Sequence, residues 1–112
     1  MVILQVNYTY TDISRAAWEA RYSDEVATKF LSVDGLAWKI WLDAPDDPRV
    51  GGIDMFESME QAQAYLDGPI VARIKTNPAV ENLETRLFNV RERMTAITNG
   101  PVPGLTLASA AE

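Results

Sequence analysis

The sequence predicts an α+β fold: a ferredoxin-like β-α-β-β-α-β sandwich, a four-stranded antiparallel sheet with helices on one face. Three observations carry this expectation. Apolar and polar residues alternate with period two over Val2–Tyr10, through the stretch 35–57 and again from Val80 to about Arg91, which marks strands. Between the first two of these, Trp18, Tyr22, Val26 and Phe30 recur at steps of four, the spacing of an amphipathic helix. A second helical stretch lies between 58 and 76, and completes the order of elements.

In the first strand Val2, Leu4, Val6, Tyr8 and Tyr10 alternate with Ile3, Gln5, Asn7 and Thr9, one apolar face against one mixed face. Thr11, Asp12 and Ser14 supply the oxygens that start a helix; Ala27 and Leu31 widen its stripe, and Asp34-Gly35 ends it. A hairpin follows, 35–43 and 50–57 around the polar loop 44–49. Pairing Asp43 with Val50 sets Lys39 opposite Asp54 and Trp41 opposite Gly52, an opposite-charge pair and an indole over a bare glycine. It also sets Ile40 beside Ile53 and Trp38 beside Met55.

Ser58 and Gln61 have the spacing of a capping box, opening a short helix that buries Met59, Ala62, Tyr65 and Leu66. Gly68-Pro69 interrupts it, and Pro69 begins a further turn with Ile70, Val71 and Ile74. Asn77-Pro78 is the next break. After the last strand, 94–99 forms one more turn. The domain is read as 1–99 and the Gly/Pro- then Ser/Ala-rich 100–112 as a flexible C-terminal tail.

One domain suits 112 residues that are 47% hydrophobic and 23% charged. A net charge of −6 disfavours nucleic acid and anionic membranes as partners. With neither cysteine nor histidine, the chain lacks the donors for disulfides, thiol nucleophiles, zinc clusters, imidazole-ligated haem and Ser-His triads. No Asp-rich calcium loop is present, so no metal is expected. Without a leader pattern or an apolar run near ~20 residues, a cytoplasmic location is expected.

Helices are expected to cover the face bearing Leu4, Val6, Leu36, Trp38, Ile40, Ile53, Met55 and Leu87. The other face then shows Ile3, Gln5, Asn7, Lys39, Trp41, Asp54, Phe56, Arg86 and Phe88, a patch larger than monomers usually leave bare. Burying each large apolar side chain is worth roughly 1.5–3 kcal/mol. A two-fold dimer joined sheet to sheet is therefore expected, with Gln5, Lys39, Trp41, Asp54, Phe56 and Phe88 at the interface. A wet sheet face is the alternative.

Gly35-Leu-Ala-Trp-Lys-Ile-Trp-Leu42, Gly51-Gly-Ile-Asp-Met-Phe56, Ala62-x-Ala-Tyr-Leu66 and Leu87-Phe-Asn-Val90 resemble the YdhR-type monooxygenase family. That family belongs to the dimeric α/β-barrel superfamily, with the antibiotic-biosynthesis monooxygenases, and the resemblance covers roughly residues 2 to 98. It implies a homodimer whose two sheets close into a barrel-like core. It also implies oxidation of polycyclic phenols or hydroquinones by dioxygen without flavin, haem or metal, hence no cofactor. Such a substrate anion can pass an electron to oxygen itself, so the protein need only deprotonate, orient and desolvate it.

The candidate pocket residues are Asn7, Tyr8, Trp38, Tyr65 and Arg73; no catalytic residue is identified. Trp38 is a pocket wall or plain core. Tyr8 and Tyr65 orient a phenol or reach solvent, and Arg73 steadies an oxyanion or is a solvated helix cation. Asn7 and Gln5 hold a ligand oxygen or satisfy the interface. Lys39 and Asp54 read as a cross-strand ion pair, since an acid–base role requires burial. Without histidine, a base must be a perturbed carboxylate, lysine or tyrosine, or water. Whether the chain is an enzyme stays open. The alternatives are a homodimeric module that binds an aromatic ligand without turnover, and a structural dimer without a cavity.

Overall fold

A computed structural model describes residues 1–105. The elements run β1 (Val2–Tyr10), α1 (Arg15–Glu19), α2 (Asp24–Lys29), a 3-10 turn (Phe30–Ser32), β2 (Leu36–Asp43), β3 (Arg49–Phe56), α3 (Met59–Leu66), α4 (Pro69–Thr76), β4 (Val80–Asn89) and α5 (Glu92–Ile97). The strands form one antiparallel sheet in the order β2-β3-β1-β4, the expected ferredoxin-like order.

The hairpin has the expected register: Asp43 pairs with Val50, Lys39 with Asp54, Trp41 with Gly52, Ile40 with Ile53 and Trp38 with Met55. Its orientation relative to β1 differs from the expectation. Val2 pairs with Phe56, Leu4 with Asp54 and Val6 with Gly52, and residues directly opposite share a face. Val2, Leu4, Val6 and Phe56 cluster with Ala62 and Tyr65 of α3 and Val71 of α4. The helix-covered face therefore carries Lys39, Trp41, Asp54 and Phe56, all four expected at a dimer interface. Phe56 and Asp54 are 0% and 1% exposed.

Trp38, Ile40, Ile53 and Met55, expected beneath the helices, instead share the open face with Ile3, Gln5, Asn7, Arg86 and Phe88. Of the expected interface set, Gln5 and Phe88 keep their place there. The physical reason is that both hairpin faces are apolar enough to bury, and hydropathy ranks Trp-Ile-Met above a face holding a lysine and an aspartate. A register shift between Leu36 and Trp38 returns Leu36 to the helix side, where it packs on the core.

The expected first helix is divided. Ser14 Oγ accepts from the Ala17 N–H at 3.1 Å and Ser23 Oγ from the Val26 N–H at 3.2 Å, so each serine starts its own helix. Asp24 and Glu25 then place carboxylates at the positive end of α2. The division lets Trp18 drop into a second cluster with Tyr10, Val50 and Ala79. In α3 the Ser58 cap accepts from the Gln61 N–H at 3.2 Å, while Met59, expected to be buried, is 42% exposed.

Packing continues past the expected boundary at residue 99. The Trp38 indole N–H donates to the Pro101 carbonyl oxygen at 2.9 Å, and Val102 is buried. Residues 106–112, the remainder of the expected tail, lie outside the described residues. Because Phe56 is sealed within the protomer, Phe56→Ala should lower the unfolding free energy by about 3–5 kcal/mol in urea denaturation. A loss below about 1 kcal/mol would place it outside the core.

Candidate functional site

On the helix-covered side, aromatic rings follow one another across the sheet. Tyr8 lies edge-on to Tyr10 with centroids 5.5 Å apart, Tyr10 stacks on Trp18 at 5.4 Å, and Trp18 meets Tyr22 at 5.9 Å. Tyr22 meets Trp41 at 6.0 Å, Trp41 meets Phe30 at 5.1 Å, Phe30 approaches Tyr65 at 6.4 Å, and Tyr65 packs on Phe56 at 5.5 Å. These spacings are those of attractive aromatic pairs. The strands supply Tyr8, Tyr10, Trp41 and Phe56 by their period of two. The facing rings come from α1 (Trp18), the link between α1 and α2 (Tyr22), the 3-10 turn (Phe30) and α3 (Tyr65).

An ion pair sits inside this layer. Lys39 Nζ donates to Asp54 Oδ1 at 2.8 Å, with side chains only 11% and 1% exposed. Gly52 makes room for the ammonium: a Cβ there would stand 2.6 Å from Lys39 Nζ. Above it the ring centres of Trp41 and Phe30 lie 4.7 and 4.9 Å away, within cation–π range. Asp54 Oδ2 has no hydrogen-bond partner among the described residues.

Burial pushes the Asp54 carboxyl above the usual carboxylate range, and the Lys39 charge and hydrogen bond pull it part of the way back. The Tyr65 phenol is pushed up by burial and by the negative charge of Asp54. Burial likewise raises Tyr8, with the neighbouring Tyr22 and Tyr10 phenols adding to it, and raises Tyr22, where a hydrogen bond with Tyr8 offsets part of the rise.

Clefts flank the layer. One of about 340 Å³ opens on the outer side of Trp41, against Tyr22, Ala27 and Asp43. Another of about 320 Å³ lies where Val33, Gln61, Tyr65 and Ile70 meet. A shallower trough of about 640 Å³ has Leu42, Gly51, Asn7 and Glu84 along its floor, one row across all four strands on the open face.

Of the candidate residues, the structure brings Tyr8 and Tyr65 into the aromatic layer. Asn7 lies on the open face, its amide oxygen against the bare backbone of Gly51. Trp38 is on that face too, its N–H committed to Pro101. Arg73 is exposed in the last turn of α4, where a cation suits the helix dipole. Lys39, Asp54 and Trp41, read as interface residues, belong to the layer, as do Tyr22 and Phe30. Gly52 was the available signal, since a strand glycine often marks a close approach. Among the described residues, no group of three His, Cys, Asp or Glu could share a metal ion, and no helix is long and apolar enough to cross a membrane.

The raised phenols give a pH prediction. Each favours the folded state fully below the ordinary tyrosine value of about 10, and that contribution is lost as pH rises towards the folded value. In an alkaline absorbance titration Tyr8, Tyr22 and Tyr65 should therefore ionise late, together with loss of the far-UV signal. Reversible ionisation of all tyrosines near pH ~10 in the folded protein would contradict this.

One family model matches residues 3–101, and no curated protein matches the chain. Among solved structures, SnoaB, a cofactor-independent oxygenase from Streptomyces nogalater, superposes with a TM-score of 0.59 at 20% identity, over 80% of this chain and 93% of that one. The haem degrader MhuD from Mycobacterium tuberculosis, with two haems in its active site, gives 0.56 at 18% identity over 80% and 95%. An antibiotic biosynthesis monooxygenase of Deinococcus radiodurans, itself described as putative, gives 0.59 at 17% identity over 80% and 92%. At such identities these likenesses speak for the fold. The match along residues 3–101 speaks for descent: the chain belongs to the family described as "Putative mono-oxygenase ydhR".

Proposed function

We propose that the protein is a cofactor-independent monooxygenase that oxidises a phenolic or hydroquinone-like aromatic small molecule with dioxygen, and that it works as a homodimer. The observation that carries this reading is the aromatic layer closed around the buried Lys39–Asp54 pair, in a chain of the mono-oxygenase family. Flat rings at Tyr22, Phe30, Trp41 and Tyr65 suit a planar guest. The neighbouring clefts of about 320 and 340 Å³ reach the lower end of ligand-site volumes.

The reaction balances without a bound redox group. A phenol and dioxygen give a quinone and water. One oxygen atom enters the ring, and the other leaves as water with the two hydrogens the phenol gives up. The substrate supplies the electrons, so the protein contributes proton removal, orientation and a dry setting. The likeness to SnoaB, a cofactor-independent oxygenase, supports this choice. Haem, as held by MhuD, suits the chain less well: with no histidine or cysteine, axial ligation falls to rarer donors.

The homodimer rests on the open face, where Ile40, Leu42 and Phe88 are 46%, 38% and 48% exposed. A second copy covers that patch at no cost in new chain. Ile40→Lys should then convert the dimer to monomer in sedimentation velocity. A wild type that sediments as a monomer at micromolar concentration would remove the dimer.

Naphthols and anthrones should be consumed with one dioxygen per quinone, read by an oxygen electrode and the quinone absorbance. Trp41→Ala should lower kcat/KM about 10-fold through loss of one aromatic wall. Binding in equilibrium dialysis without oxygen uptake would leave a non-catalytic binding module, and no binding would remove the reading.

A further inference from the structure

Asp54 Oδ2 is a buried carboxylate oxygen without a donor among the described residues. Such an oxygen is costly, and folded proteins seldom leave one unused. Its sister oxygen is fixed by Lys39 at 2.8 Å, and the ammonium is in turn held over Gly52 and against the Trp41 and Phe30 rings. The pair is thus a carboxylate with one oxygen anchored and the other free, walled by rings on a chain that has no histidine. We propose that Asp54 is the base that takes the hydroxyl proton of the phenolic substrate, and that Lys39 holds the phenolate so formed. The inference rests on the oxygenase reading and names a catalytic residue within it.

The step is a proton transfer. The substrate O–H bond breaks, a new O–H bond forms at Asp54 Oδ2, and the electron pair stays on the phenolate oxygen beside the Lys39 ammonium. An ammonium–carboxylate pair becomes an ammonium–phenolate pair, so no net charge appears in the low-dielectric layer and burial does not oppose the exchange. Burial also lifts the carboxyl towards the phenol range, which narrows the gap the proton must cross. The titratable group facing Asp54 from α3 is Tyr65, whose raised phenol stays protonated and does not compete as a base.

The route in is past Trp41. Trp41 is 40% exposed and borders the cleft of about 340 Å³, and its ring centre lies 4.7 Å from the ammonium. Lys39 and Asp54 do not themselves line that cleft, so a phenol entering from it must displace this ring to reach them. A merely structural ion pair would make the fold weaker when cut, but would leave the ionisation of a bound phenol alone.

The test is made without oxygen. Mixed under nitrogen with 1-naphthol, the wild type should develop the absorbance of the probe's anion. Asp54→Asn should slow that appearance about 100-fold or more, with the probe still bound in equilibrium dialysis. If Asp54→Asn does not fold, the wild type alone suffices: anaerobic binding should bring up the infrared carbonyl band of a newly protonated carboxylic acid. Anion formation by Asp54→Asn at the wild-type rate overturns the assignment. So does oxygen uptake by the wild type with neither the anion nor the infrared band, which leaves the oxygenase reading standing. A wild type that neither binds the probe nor consumes oxygen removes that reading, and the base with it.

Discussion

Lys39 and Asp54 bond to each other beneath the helices, and much of the molecule is arranged to make that tolerable. A charge taken out of water is expensive, and removing one partner of a buried pair typically costs about 3–5 kcal/mol. Three features meet the cost. The partner charge stands at 2.8 Å. Gly52 leaves space above the strand for the ammonium. Two aromatic faces, from β2 and from the turn after α2, take the remaining side of the cation. Shifting the hairpin by one residue would exchange all these side chains for those of the other face, so the pair and the orientation of β2 and β3 stand or fall together.

That orientation decides what each surface can do. The helix-covered side gains an unusual mixture of rings, one ion pair and several hindered phenols, while the open side gains the aliphatic residues. Ile40, Leu42 and Phe88 remain available there, whereas Met55, on the same face, is only 1% exposed. The segment after α5 closes down beside Trp38 and buries Val102. The two sides of the sheet thus differ in character, one holding the rings and the ion pair, the other an exposed apolar row. The two sides meet at the end of the hairpin, where Leu42 and Gly51 border both the trough and the cleft beside Trp41.

The elements, their order and the hairpin register were legible in the sequence because each rests on local rules: period two, a serine before an acidic turn, proline at a helix start. Even the Lys39–Asp54 pairing could be read from a count along two strands. What could not be read was which face of the hairpin met which face of β1, because that choice is made by residues far apart in the chain. Val2 against Phe56 and Leu4 against Asp54 settle it. Hydropathy pointed the other way, as it ranks a lysine and an aspartate as surface residues and cannot see the rings that enclose them. The same blindness set Trp38 beneath the helices and Trp41 on the open face, the reverse of where they lie. Tyr8 and Tyr65 do lie on the helix-covered side, as their strand and helix patterns place them. Ser23 was a missed signal of a simpler kind: a second cap inside what looked like one helix.

The three tryptophans of this chain occupy three different media. Trp18 is sealed against a stacked tyrosine, Trp38 gives its N–H to a peptide carbonyl, and Trp41 floats half in water above a fixed positive charge. Indole fluorescence follows local polarity and field, so the unmodified polypeptide contains three separable lamps: one for the interior, one for the segment after α5 and one at the edge of a surface cleft. Following their colours independently would turn the protein into its own recording instrument.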